Sequence, residues 1–200
     1  MIYTSIFGGY DARRDDVRVF DQPSGRLGSP RMEAKRYKVL NHLTPEIWRE
    51  HHRSVWIDGN VCVNAPEDEL FSSLTDGVEL AIFSHHCRST IRQEVEAVVN
   101  FGYESASQAE RVLSDYPREA DALPLLEATV LFRRHTGAVA MFNSIWWSLI
   151  CSYSHRDQLT LPIAVAMAEK YCGLRFKAVS GNLRNHPMFT CVTHGEALHK

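Results

Sequence analysis

An alternation constrains this chain more than any other feature. Short runs rich in β-branched and aromatic residues, at 2–7, 17–20, 54–58, 78–83, 128–132 and 174–179, are separated by longer segments of a different kind. Those segments, at 31–43, 66–74, 90–101, 105–115, 137–153 and 159–171, carry apolar residues at helical spacing or the residue types that start helices. Strands interleaved with helices predict an α/β layer architecture with a largely parallel sheet. In such sheets ligands bind just beyond the carboxyl ends of the strands. The residues that follow each run are therefore the ones to read for chemistry.

Bulk properties narrow the classes. Two hundred residues suit a single domain over 1–200, large enough to bury a core without disulfides. A net charge of −2 with neutral histidines gives no global basic field, which argues against nucleic acid or an anionic membrane as partner. The five cysteines are scattered and form no CxxC pair, which excludes a zinc ribbon and a thioredoxin-like motif. Free thiols in a reducing compartment are expected, hence a cytoplasmic placement. Met1 is followed directly by Ile2-Tyr3-Thr4-Ser5, with no basic leader region. The longest apolar stretch, 138–153, is broken by Asn143 and Ser144, so no integral membrane segment is expected.

Four polar clusters follow strand ends or open helices: Gly8-Gly9-Tyr10-Asp11, Asp58-Gly59-Asn60, His85-His86-Cys87-Arg88 and Arg156-Asp157-Gln158. Asp58 and Asn60 flank Gly59, so both side-chain oxygens can turn toward one hard cation such as Mg²⁺ or Mn²⁺. The same tripeptide also suits a plain turn, and Asp157 at a helix start also suits an acid opposing the helix dipole. Together the clusters place acid, base and cation along one edge of the sheet, a set suited to an anionic diphosphate. Lys35, Arg36 and Lys38 on the first helix offer further phosphate contacts, or simply a solvated basic face. The two glycines at 8 and 9 do not make a GxGxxG fingerprint, so a dinucleotide cofactor has little support.

The ordered blocks resemble a known family. Tyr3 to Asp11 is similar to the opening Y-T-A-I-F-G-x-Y-D of a glycosyltransferase-like family of the DUF616 type, and Ser54 to Asn60 is similar to its S-x-W-I-D-G-N block. Lys38 to His42, His85 to Arg88 with Glu94, Glu127 to His135, and Arg156 to Thr160 resemble its K-x-L-P-H, H-x-x-R, E-x-x-x-x-x-R-x-H and R-D-Q-L-S blocks.

The resemblance implies a Rossmann-like GT-A α/β/α sandwich, the nucleotide-diphospho-sugar transferase type, with a mostly parallel sheet. It implies transfer of a sugar from a nucleotide-sugar donor, of UDP type, to a glycan or other hydroxyl acceptor in polysaccharide or glycoconjugate biosynthesis. Phe7, Gly8 and Tyr10 would line the nucleoside pocket, Lys38 would meet a phosphate, and His85 and Arg88 would bind donor sugar or diphosphate. Asp58 and Asn60 would stand where such enzymes carry D-x-D, holding Mn²⁺ or Mg²⁺, with His186 as a third metal ligand. Asp157 would lie near the anomeric carbon, as acceptor base or as a stabiliser of positive charge, with Gln158 on a sugar hydroxyl. Two other functions use the same residues: a metal-dependent phosphohydrolase, and a non-catalytic module that binds a nucleotide or glycan.

Overall fold

The computed structural model describes residues 1–12, 14–116 and 118–194. Its main sheet has six strands: β1 (Ile2–Ser5), β2 (Arg18–Phe20), β3 (Arg53–Ile57), β5 (Leu80–Ser84), β6 (Leu126–Arg134) and β7 (Phe176–Val179). Their order is β2-β1-β3-β6-β5-β7. β1 pairs in parallel with β2 and β3, and β5 with β7, whereas β6 runs antiparallel to both of its neighbours. Five strands thus point one way, and only β6 is reversed. The expected α/β fold with a mostly parallel sheet is what forms.

Alternation along each strand builds a layer on either face. Trp56, Leu80, Ile82 and Leu131 point to one face. There they pack with residues of α1 (Pro30–Val39), α6 (Gly137–Ser152) and α7 (Asp157–Cys172). Val55, Ile57, Ala81, Phe83, Val130 and Phe132 point to the other, against α3 (Glu67–Leu74). A smaller cluster joins α4 (Ile91–Asn100) and α5 (Ala106–Ser114) to α7. The helix boundaries follow their caps. Ser29 caps α1 with Pro30 at its first turn, Thr90 and Gln93 form a capping box on α4, and Gly173 closes α7 at φ 65°.

Two features depart from the sequence reading. The sequence carries no strand-like or helix-like run beyond 179, yet Phe189–Cys191 forms strand β8, antiparallel to β4 (Val61–Val63), and a helical turn spans Leu183–Asn185. Residues 195–200 lie outside the described part of the chain. A short helix α2, Pro45–Trp48, also occupies what reads as a connection. Among the described residues no helix is long and apolar enough to cross a membrane.

Candidate active site

At the carboxyl ends of β1 and β3 the chain opens a cleft of about 540 Å³. Phe7, Gly8, Tyr10 and Asp11 line it from the turn after β1, and Asp58 and Gly59 from the turn after β3. Gly8 is required twice over. Its φ is +68°, and an added Cβ would lie 3.1 Å from Pro30 Cβ at the start of α1. Gly59 is required for space alone, because a Cβ there would meet the Asp11 carboxylate at 2.5 Å. The second glycine of the Gly8-Gly9 pair, Gly9, has a positive φ but open space around it.

One stripe of α1 forms the opposite wall: Arg31, Ala34, Lys35 and Lys38, spaced as one face of a helix. Arg36 lies off that stripe. It turns away to Glu33 (3.5 Å), the carbonyl of Gln22 (3.2 Å) and the face of Tyr37 (4.0 Å). Two of the three basic residues thus reach the site, and helical phase selects which two.

The last turn of α1 is held from below. Its terminal carbonyls have no intrahelical donors. Tyr3 donates its hydroxyl to the carbonyl of Tyr37 (3.2 Å), and Arg133 Nη1 donates to that of Lys38 (2.7 Å). Arg133 is wholly buried, and among the described residues its Nε and Nη2 have no hydrogen-bond partner. Its positive charge sits where a helix C-terminus favours one.

Four charges meet at the centre. Lys38 Nζ lies 2.9 Å from Asp157 Oδ2 and 3.1 Å from Asp58 Oδ1, and Lys35 Nζ lies 3.0 Å from Asp157 Oδ2. Burial alone would push the Asp157 carboxyl up, but the two ammonium groups outweigh it and hold the acid well below the usual carboxylate range. Burial likewise works against the Lys38 ammonium, and Asp157 and Asp58 overcome it, so Lys38 is raised. For Lys35 burial wins and its pKa is lowered. Trp56, a core residue of β3, donates its indole N–H to Asp58 Oδ1 (2.9 Å).

The other expected site residues distribute as follows. Asn60 is beside Asp58, its amide nitrogen donating to the carbonyl of Val192 (2.8 Å), which leaves the amide oxygen as its free acceptor. Gln158 follows Asp157 on α7 but does not line the cleft. His186 is not brought to the Asp58 turn. Its ring packs between Phe83 and Phe189, and Nδ1 accepts from the backbone N–H of Met188.

The tail histidine that does reach the cleft is His194, 2.9 Å from Asp11 Oδ1, its ring tilted against that of Tyr10 with centroids 4.7 Å apart. No local motif marks it, and its partner is 183 residues away.

His85 and Arg88 sit off the cleft, after β5. Arg88 is engaged by Glu94 (2.6 Å) and by His85 Nε2 (2.9 Å). Burial, then the Arg88 charge, pushes His85 down to about 4, so it is neutral at pH 7. Its ring stacks on His86, which lies 3.3 Å from buried Glu127.

Asp58, the Asn60 amide oxygen and Asp11 supply hard oxygen donors of the kind Mg²⁺ and Mn²⁺ accept, with the His194 imidazole beside them. Magnesium typically takes only one or two carboxylates, with substrate phosphates completing its shell. The donor types at the turn therefore fit such an ion. Among the described histidines, cysteines, aspartates and glutamates, three ligand atoms come within 4.8 Å of one another only at His85, His86 and Cys87.

Solved structures similar to this chain include the bifunctional glycosyltransferase WbbM, at 15% identity and TM-score 0.46 over 82% of this chain and 28% of that one. A glycosyltransferase involved in glycosylating the major capsid of PBCV-1 gives 12% and 0.44, over 83% and 66%. Mouse xyloside xylosyltransferase 1 gives 14% and 0.38, over 74% and 52%. The chain thus spans less than two thirds of each of these proteins. No curated protein matches it significantly.

Residues 27–175 match the model of the TOD1/MUCI70 glycosyltransferase-like domain, a span that includes Lys38, Asp58, His85, Arg88, Asp157 and Gln158 and begins after the Gly8 turn. The chain belongs to the TOD1/MUCI70 glycosyltransferase-like domain family.

Proposed function

We propose that this protein is a glycosyltransferase that binds a nucleotide sugar, of UDP type, through its diphosphate in the Asp58–Asp157 cleft and passes the sugar to a hydroxyl of a glycan or glycoconjugate. The observation that carries the reading is Lys38, an ammonium fixed between two carboxylates in an open cleft at the carboxyl ends of β1 and β3. Arg31, Lys35, Lys38 and Arg156 line that cleft against Asp11, Asp58 and Asp157, an excess of positive charge suited to phosphate oxygens. Phe7, Gly8 and Tyr10 take the nucleoside.

Glycosyl transfer leaves negative charge on the departing diphosphate and positive charge at the anomeric carbon. Lys38 and Lys35 are preorganised for the first. Asp157 serves the second as a fixed anion. A carboxyl held so far below neutrality is a poor proton acceptor at pH 7, so the charge-stabilising role is favoured over the acceptor base. Gln158 is assigned to a sugar hydroxyl. Asp58 and Asn60, with Asp11 and His194 beside them, would hold Mg²⁺ or Mn²⁺, which would add Lewis-acid charge to the leaving diphosphate. Free, scattered cysteines support a reducing compartment such as the cytoplasm.

The test is a panel of nucleotide sugars with Mn²⁺ and mixed hydroxyl acceptors, read as free nucleoside diphosphate. Turnover of one donor that disappears in Asp58→Ala and in Asp157→Ala is expected. Release of inorganic phosphate would favour a phosphohydrolase, and binding without turnover for every pair would favour a binding module.

A further inference from the structure

A second cavity of about 330 Å³ adjoins the cleft. Asp58 and His194 line both, and the turn divides them, Gly59 facing the cleft and Asn60 the cavity. The rest of the wall is Val192 and Thr193, which lead into His194, and three residues from elements with no part in the cleft: Thr129 on β6, Arg184 on the helical turn, and Cys191 on β8.

Arg184 is fixed from beneath. Its Nη1 donates to Oε1 of Glu127 at 2.6 Å and lies 2.9 Å from His86 Nδ1, while Thr129 donates its hydroxyl to the same carboxylate oxygen (3.3 Å). The Glu127 side chain is 4% exposed and that of Arg184 46%. A buried anion thus holds a guanidinium whose outer edge still reaches the cavity.

Charge decides what such a cavity takes. Glu127 offsets Arg184, and Lys38 offsets Asp58. Apart from an ion at the Asp58 turn, which the diphosphate of the cleft would share, the lining is polar and nearly neutral, unlike the cationic cleft beside it. The guanidinium fork of Arg184 and the Thr129 hydroxyl suit an uncharged ligand dense in hydroxyls. The volume is at the small end of ligand sites, enough for roughly one or two pyranose rings.

We infer that this cavity is a carbohydrate subsite, gripping a pyranose by its hydroxyls through Arg184 and Thr129, with Glu127 as the positioning residue for Arg184. The inference rests on the diphosphate reading of the neighbouring cleft. The ring belongs either to the donor or to the acceptor, and the experiment separates the two.

Wild type, Thr129→Val and Arg184→Leu are titrated calorimetrically with UDP, with a panel of UDP-sugars, and with a panel of neutral disaccharides in the presence of UDP. Thr129→Val preserves side-chain shape. If Arg184→Leu fails to fold with Glu127 left unpaired, the Glu127→Gln/Arg184→Leu double variant replaces it.

The expected result is sugar affinity down about tenfold or more in the Arg184 variant, less in Thr129→Val, with UDP affinity within about twofold of wild type. A loss confined to UDP-sugars identifies the donor ring, and a loss confined to disaccharides the acceptor. Equal loss of UDP affinity, unchanged sugar affinity in both variants, or no sugar binding by wild type overturns the inference. Disaccharide binding that depends on Arg184 in a protein that ignores UDP would sink the diphosphate reading and leave the subsite standing.

Discussion

Lys38→Met removes the ammonium at the centre of the charge network while keeping an unbranched apolar stem. The Lys38 side chain is 8% exposed and serves two carboxylates, at 2.9 and 3.1 Å. Breaking a buried ion pair from one side costs about 3–5 kcal/mol, because a charge is left without compensation. Here the loss is cushioned. Asp157 keeps Lys35 at 3.0 Å, and Asp58 keeps the Trp56 indole at 2.9 Å and is 30% exposed. The lower end, about 3 kcal/mol, is therefore expected.

For a domain of this size that lowers Tm by about 6–12 °C in a thermal melt. In the same variant UDP affinity should fall about 10- to 150-fold, the worth of one charge-assisted contact. A stability change below about 1 kcal/mol would put the network in the class of solvent-exposed pairs. With UDP affinity also unchanged, the account of Lys38 is refuted.

Three further outcomes follow from the same geometry. Asp157 is depressed in the folded protein, so its stabilising contribution is complete above the ordinary carboxylate pKa and is lost as pH falls through the folded value; Asp157→Asn should be less stable at pH 7 and flatten the acid limb of a denaturation series. Gly59→Ala drives a methyl into the Asp11 carboxylate, which must swing off the turn, so His194 loses its partner and UDP binding weakens more than Tm falls. Arg133→Met leaves the Lys38 carbonyl buried and unpaired, a cost of roughly 1–3 kcal/mol by chemical denaturation, with Arg133→Lys recovering part of it.

Much of the fold is legible in the sequence, because period-2 runs and helix caps are local signals. β3 and its Asp58 turn read directly, as does the Ser105-capped start of α5. β4 and β8 do not, since each is three residues long and they find one another only in the folded chain. β6 reads short, as 128–132, because Glu127, Arg133 and Arg134 look like strand breakers. In the fold Glu127 meets Arg184, and Arg133 meets the Lys38 carbonyl, so charges that seem to end the strand are satisfied by distant partners.

Sequence motifs also name Asp58, Lys38 and Asp157 without showing that they touch. Helical phase separates Lys35 from Arg36, and only chain folding brings His194, rather than His186, to Asp11.

The most direct test of the central claim is a crystal structure of the protein soaked with UDP and Mn²⁺. The diphosphate is expected in the cleft between the Gly8 turn and α1, with a phosphate oxygen in hydrogen-bond reach of Lys38 Nζ and the metal against Asp58. UDP bound in the Arg184 cavity, or elsewhere on the surface with the cleft empty, would contradict it.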